Sequence, residues 1–446
     1  MAGETMRSNS VVAPSKEGYI KELLETRLDT AWLLRVEIYL LIAVQFLTNA
    51  GFIPTAVTYV FDIANLVLLL VGLKKVAQSF SRHTLFVALL LGYCCLAVVT
   101  GLGAAVPPAC IAWELMIQLR IPCFVLLCVT YWTGNDIFRV MKTLMCLQPL
   151  NLAFAAAQYF ALGLTGDNCG GIFGVSAGSN MMLNMYLVIV LAYAASGYLG
   201  STENRVSLAT LTFTAVSSFF VATLSEIKFF YLEAVLVVVL AMFLGKKNHK
   251  MVLLSVVFTC ALALGLGFLA VYFPDSFEML FDFDALQTYD DGSNVATSGY
   301  GISRAGAIGQ IDRLFFGNST ADKIAGYGFG SATMSSIDAF CSPFYWSYGW
   351  LRYYYSQIAM LYLQNGYIGL VFYFAIHLFP LLYCLMNKNL FTCAAWARVF
   401  SICMGVMFFL NCFYNGSSRS YAALLWAVCF SIPFIFEAKE KSQFHG

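Results

Sequence analysis

The sequence predicts an all-α polytopic membrane protein of about twelve transmembrane helices, with both termini cytoplasmic and one large extracytoplasmic loop between spans 9 and 10. Three observations carry this reading. The chain of 446 residues is 60% hydrophobic and 11% charged, with a mean hydropathy of +0.76; a soluble domain has about 25% charged residues, so too few charges are present to cover a water-facing surface. The apolar runs are continuous and about twenty residues long, which suits helices, whereas an outer-membrane barrel alternates over segments of about ten. Lysines and arginines also fall on every second loop.

Taken in order, residues 1–31 are polar and read as a cytoplasmic segment with no cleavable signal peptide. Residues 32–273 carry spans 1–9, near Trp32–Thr48, Ile53–Leu73, Leu85–Val99, Ile111–Trp132, Ile137–Leu162, Met181–Leu199, Val206–Thr223, Phe229–Leu244 and Met251–Phe273. The large loop covers 274–366. Spans 10–12 lie within 367–436, near Tyr367–Met386, Val399–Phe413 and Tyr421–Phe436, followed by a tail at 437–446. The seventh and eighth spans form a hairpin with only LSEIK at its tip.

Orientation follows from the cation bias of short loops. With Lys16, Lys21 and Arg27 inside, the cytoplasmic loops carry Lys74, Lys75, Arg82, Arg139, Lys142, Arg205, Lys246, Lys247, Lys250, Lys388, Arg398, Lys439 and Lys441. The opposite short loops are nearly free of cations. Their exceptions are Lys228 and Arg419, joined by Arg304, Arg313, Lys323 and Arg352 in the large loop. Three short outward segments have unusual chemistry: Gly166–Asn180, Leu224–Phe230 and Tyr414–Ser420. With the large loop they are expected to converge on one outer cavity.

Arg304 and Arg313 sit among glycines, and an arginine's planar fork suits pyrophosphate oxygens. Solvated arginines that snorkel to headgroups would look the same in sequence. Gly326, Gly328 and Gly330 form a GxGxG stretch that could offer backbone amides to a ligand, although a turn explains it equally. Glu226, Lys228 and Glu233 lie where the hairpin meets hydrocarbon, where ionisable groups pair or line polar cavities. Glu233 has no sequence neighbour of opposite sign and needs a partner on another helix. Glu114 and Arg120, six residues apart in the fourth span, read as an interhelical ion pair. Asp167 and Asn180 bracket a glycine-rich loop and suit sugar hydroxyls or turns. The run Tyr345 to Tyr355 reads as an interface belt or as sugar-stacking platforms.

Function classes drop out as well. No basic patch of the kind that holds nucleic acid is present, and no CxxC pair marks a zinc or redox site. The histidines, His83, His249, His377 and His445, avoid the outward loops, so neither a histidine base nor a metal is expected in the cavity; Asp282, Asp284, Asp290 and Asp291 are too scattered for calcium. No cofactor is expected. Cys169 and Cys341 both fall outward, which leaves a disulfide between them open.

The order of GDNCGGIFGVSAGSN before a span, LSEIKFFYLE at a hairpin, SRAG and GYGFGS in the large loop, YLQNGYIGL entering the next span and YNGSSRSYAALLW near the end resembles the O-antigen and capsular polysaccharide polymerases (Wzy type) of the polymerase/O-antigen ligase group. The resemblance covers most of the chain loosely. It implies a metal-independent glycosyltransferase at the outer face of the bacterial cytoplasmic (inner) membrane. Such an enzyme transfers a growing undecaprenyl-pyrophosphate-linked glycan onto an incoming lipid-linked repeat unit, alongside membrane lipids, a flippase and a chain-length regulator. It further implies that Arg304, Arg419 and either Arg313 or Lys228 stabilise the departing pyrophosphate. Glu226 or Glu233 would hold an arginine or take the acceptor proton. Ligases of this group carry a histidine near the end of the large loop; here that region reads Arg352-Tyr353-Tyr354-Tyr355-Ser356-Gln357, which favours a polymerase over a ligase. A lipid-linked oligosaccharide flippase or transporter is the alternative from another class, though no repeat relates the two halves as transporters commonly show.

Overall fold

The computed structural model describes residues 29–200, 206–245, 247–282, 301–304, 306–387, 391 and 394–444, with side chains to residue 437. Lys16, Lys21, Arg27, Arg205, Lys246, Lys388, Asp284, Asp290, Asp291 and the side chains of Lys439 and Lys441 lie outside the described residues. The described chain is helical and contains no strand. Its main helices are α1 (Thr30–Asn49), α2 (Val57–Val71), α3 (Leu73–Ser79), α4 (Thr84–Gly103), α5 (Pro108–Tyr131), α6 (Gly134–Cys146), α7 (Gln148–Ala156), α8 (Ser179–Leu199), α9 (Leu208–Leu224), α10 (Lys228–Leu244), α11 (His249–Tyr272), α12 (Pro274–Phe281), α13 (Gln357–His377), α14 (Phe379–Met386), α15 (Ala395–Tyr414) and α16 (Leu424–Phe444). Short helices such as Thr320–Ala325 punctuate the large loop.

Among the described residues eight helices are long and apolar enough to cross a membrane, or nine if a bent pair counts as one. Each of the twelve apolar stretches lies on helix, yet several differ from a simple span. The stretch expected at Ile53–Leu73 turns by 75° between α2 and α3. The turn falls at Gly72, where a β-carbon would meet the Tyr131 hydroxyl at 2.4 Å. The helices α9 and α10 have only seventeen residues each.

A larger correction concerns the end of the long loop. The helix α13 begins at Gln357 rather than Tyr367, and Gln357 to Gly366 are all buried. Gln364 and Asn365 lower the hydropathy of this stretch without bringing it to the surface. Within α13 the backbone breaks at Gly366 (φ 57°), where a β-carbon would lie 2.4 Å from the backbone of Ile324. Only glycine tolerates both the left-handed conformation and that approach.

The centre of the molecule is α8, whose apolar window is buried throughout. It packs against α9, α10 and α15. An apolar helix enclosed on all sides by others is a core helix, and its small residues Ala192, Ala194, Ala195 and Gly197 allow the close approach. The mouth of the candidate site sits at the N-terminal end of this helix.

Candidate functional site

The segment that leads into α8 is held by a set of side-chain amides. Gln158 donates to Gly171 O (2.8 Å) and accepts from Gly171 N–H (2.7 Å), while Asn151 Oδ1 accepts from Ile172 N–H (3.2 Å) and Asn49 Nδ2 donates to Phe173 O (2.6 Å). These bonds satisfy a backbone that no helix pairs. They set Asp167 and Asn180 on one rim, where Asn180 Nδ2 donates to Asp167 Oδ1 at 2.7 Å.

The large loop supplies the facing rim. Ile302 N–H donates to Leu351 O (2.9 Å), which ties the segment carrying Arg304 to the segment carrying Arg352. Ser303 N–H donates to Gln310 Oε1 (2.7 Å) and anchors the same strand of chain on the helix that follows. Arg352 itself is left-handed (φ 53°), as is Glu226 (φ 49°) at the hairpin tip. Non-glycine residues in that region are concentrated at functional sites, where surrounding structure over-determines them.

These pieces enclose a cavity of about 340 Å³. Asp167, Gly178 and Asn180 come from the segment Gly166–Asn180, Ile227 from the hairpin, Arg304, Arg352 and Tyr355 from the large loop, and Tyr414 and Asn415 from the end of α15. All four polar segments singled out in the sequence therefore meet. The Arg304 guanidinium lies 4.7 Å over the Tyr414 ring, which stacks in turn on Phe229 at 4.2 Å. Arg352 lies 5.9 Å over Tyr355. The lining carries two guanidinium groups and one carboxylate, and each arginine lies over an aromatic face.

The remaining sequence candidates fall elsewhere. Arg419 does not line the cavity: it forms a two-point pair with Glu114, at 2.5 and 2.8 Å, in which Glu114 is fully buried. Glu114 also accepts from Gln118 Nε2 (2.6 Å) and from Thr333 Oγ1 of the large loop (3.2 Å). Arg120 is not the partner of Glu114; it pairs with Asp62 at 2.7 and 2.6 Å and donates to Arg419 O at 2.6 Å. The arginine at position 419 is thus one half of a buried brace between α5, the large loop and the segment before α16.

Arg313 is exposed and outside the cavity lining. Glu226 and Lys228 form no ion pair among the described residues: Glu226 accepts from Ser276 Oγ (3.2 Å), and Lys228 Nζ reaches Met279 Sδ (3.0 Å). Glu226 flanks Gly166, next to the Asp167 rim, without lining the cavity. Glu233 does find partners on other helices, and they are neutral, Asn184 of α8 and Asn411 of α15. The three glycines are packing residues rather than a cradle. A β-carbon at Gly326 would lie 2.4 Å from Asn365 N, at Gly328 2.5 Å from Ala104 Cβ, and at Gly330 3.0 Å from the Cys110 backbone. Cys169 and Cys341 are both free thiols. Burial pushes the Cys169 thiol up, and its Sγ faces Ala155 O at 3.8 Å, while Cys341 Sγ turns to Ser335 O at 3.2 Å.

Among the described residues no group of three or more His, Cys, Asp or Glu side chains could hold a metal ion. Sequence reasoning placed Arg304, Asp167 and Asn180 as candidates, carried Tyr355, Tyr414 and Asn415 only within wider segments and Arg352 only as a cation of the large loop, and missed Asn184. Arg352 carried a signal as an outward cation, but it lay hidden in an aromatic run that resembles an interface belt. No protein-family model and no curated protein sequence matches this chain.

Proposed function

We propose that the chain is a polysaccharide polymerase working at the outer face of a bacterial cytoplasmic membrane, with twelve spans and both termini inside. In this reading the cavity holds the diphosphate and first sugar of an undecaprenyl-pyrophosphate-linked glycan. The hydroxyl of an incoming lipid-linked repeat unit attacks the anomeric carbon, and the bond from that carbon to the pyrophosphate oxygen breaks. The pyrophosphate leaves with the electron pair. Arg304 and Arg352 meet the charge that develops on it, and prepositioned cations of this kind act on the transition state more than on the ground state. Asp167, held by Asn180, accepts the hydroxyl proton. Arg419 passes from the catalytic set to the scaffold, and Arg352 takes its place.

The observation that supports this reading best is the convergence of Arg304 and Arg352 with Asp167, Asn180 and two tyrosines in one cavity. Guanidinium forks suit pyrophosphate, and carboxylate, amide and ring faces suit a sugar. The test is reconstitution of the full chain in lipid nanodiscs with lipid-linked repeat units from the producing cell, read as a ladder on a gel. A ladder from the wild type that collapses to single repeats in Arg304→Ala supports the proposal. An undiminished ladder in that variant overturns the site. Deletion of the gene separates the alternatives in the cell: single lipid-linked repeats accumulate outside for a polymerase, whereas a flippase leaves none exported.

A further inference from the structure

The polar side chains of the cavity continue inward as a connected chain of amides. Glu233 is fully buried and accepts from Asn184 Nδ2 at 2.7 Å and from the Asn411 amide. Asn411 Nδ2 also donates to Met407 O (3.0 Å), and its Oδ1 accepts from Asn415 Nδ2 (3.2 Å). Asn415 Oδ1 closes the run by accepting from Ser417 N–H at 2.9 Å. Asn184 and Asn415 both line the cavity.

Glu233 accepts from the NH₂ ends of both neighbours, which leaves the carbonyl end of each amide facing elsewhere. Asn184 is thereby held with its carbonyl oxygen turned from Glu233, and that oxygen is buried without a partner in the protein. Buried polar atoms of folded proteins are nearly always paired, so an orphan acceptor at a cavity floor points to a donor that arrives with the ligand. Asn415 does not share this feature, because both ends of its amide are occupied within the chain.

We propose that Asn184 Oδ1 is a preset hydrogen-bond acceptor that selects a glycan presenting a donor, a hydroxyl or acetamido N–H, at the cavity floor. Glu233 is the positioning residue that holds the amide in this sense. The proposal rests on the glycan-transfer reading and adds its specificity element. Arg304 and Arg352 would engage the diphosphate, and Asn184 the sugar that the diphosphate carries.

The probe is the repeat-unit oligosaccharide released from its lipid carrier by mild acid, used unmodified, O-methylated, and permethylated so that acetamido N–H groups are lost too. Binding to the full chain in nanodiscs is read by the rise in melting temperature with ligand concentration. The wild type should bind the unmodified oligosaccharide at least tenfold more tightly than the permethylated one; the O-methylated form tells whether a hydroxyl or an N–H is the donor. In Glu233→Gln the new amide can donate to Asn184, which frees that side chain to invert. The ratio between unmodified and permethylated ligand should then fall at least threefold, and Asn184→Ala should lower it similarly. A purely structural Glu233 would lower stability and leave this ratio at its wild-type value. Equal wild-type affinity for both ligands, or an unchanged ratio in a folded variant, overturns the proposal while a polymer ladder keeps the polymerase reading intact. Wild-type protein that binds neither ligand overturns both. A missing ladder with the discrimination retained overturns only the polymerase.

Discussion

The molecule contains two pairs of arginines in opposite circumstances. Arg120 and Arg419 are each clasped at two points by a carboxylate, Asp62 and Glu114, and the four groups are joined by the Arg120 bond to Arg419 O. Arg304 and Arg352 lie over tyrosine rings on the rim of a cavity. A guanidinium matched at two points to a buried carboxylate has its fork geometry committed to the fold, whereas one on a cavity rim is placed where an entering anion can meet it. Identical side chains thus divide into brace and rim by where the fold places them.

The comparison breaks most visibly at the brace. Removing one member of a buried ion pair leaves the other charge uncompensated and costs about 3–5 kcal/mol. Arg419→Ala and Glu114→Ala should each sharply reduce the folded fraction, measured by size-exclusion chromatography of the detergent-extracted protein. Arg419→Met combined with Glu114→Leu removes both charges and should restore a monodisperse peak, because a buried pair replaced by apolar groups is often tolerated. A ladder from that double variant would confine Arg419 to the scaffold; a folded double variant without activity would return it to catalysis.

At the cavity the sign of the result reverses. Arg304→Ala should leave the chromatographic profile unchanged and lower polymer formation by about 10²–10³-fold, the usual cost of deleting a donor to a developing anion. Arg304→Lys should recover part of the rate, since a lysine supplies the charge and lacks the two-point fork. Loss of folding in Arg304→Ala would erase the distinction between the two pairs.

Next in size is the interlock that carries the loop. Gly326 is left-handed (φ 69°), and its added β-carbon would strike the Gln364–Asn365 backbone at 2.4 Å. Gly326→Ala should therefore destabilise by more than the about 1–2 kcal/mol of the backbone conformation alone. A lower melting temperature with normal activity per folded molecule is expected.

How much of this was legible follows the range over which each signal acts. The apolar stretches are local, and all twelve fall on helix. The four polar segments also met, because the pattern that excludes glycine- and charge-rich chain from hydrocarbon gathers it at the ends of the helices. The partners of the buried charges were not legible. Glu114 and Arg419 are 305 positions apart; six-residue spacing on one helix rules Arg120 out as the partner of Glu114, but nothing within α5 points to position 419. The start of α13 was missed for a related reason: Gln357, Gln364 and Asn365 look like surface residues until the loop is packed over them. The GxGxG stretch read as amides for a ligand or as a turn, and its close packing was visible only once Gly326 and Gly366 were seen against each other's neighbouring backbone.

The smaller effects test the rim itself. Arg352 is exposed and sits over a half-exposed Tyr355, so water already screens it. Arg352→Ala should lower polymer formation by about tenfold, the order expected for about 1.4 kcal/mol of lost stabilisation, and the deficit should shrink as salt is raised. Arg313 supplies the zero of the scale. It lies in the same glycine-rich stretch as Arg304, nine residues further on, and is exposed outside the cavity. If proximity in sequence governs function, Arg313→Ala should resemble Arg304→Ala; if the cavity does, the variant should run a ladder of wild-type length and intensity. Loss of the ladder in Arg313→Ala would move the diphosphate out of this cavity and onto the open face of the loop.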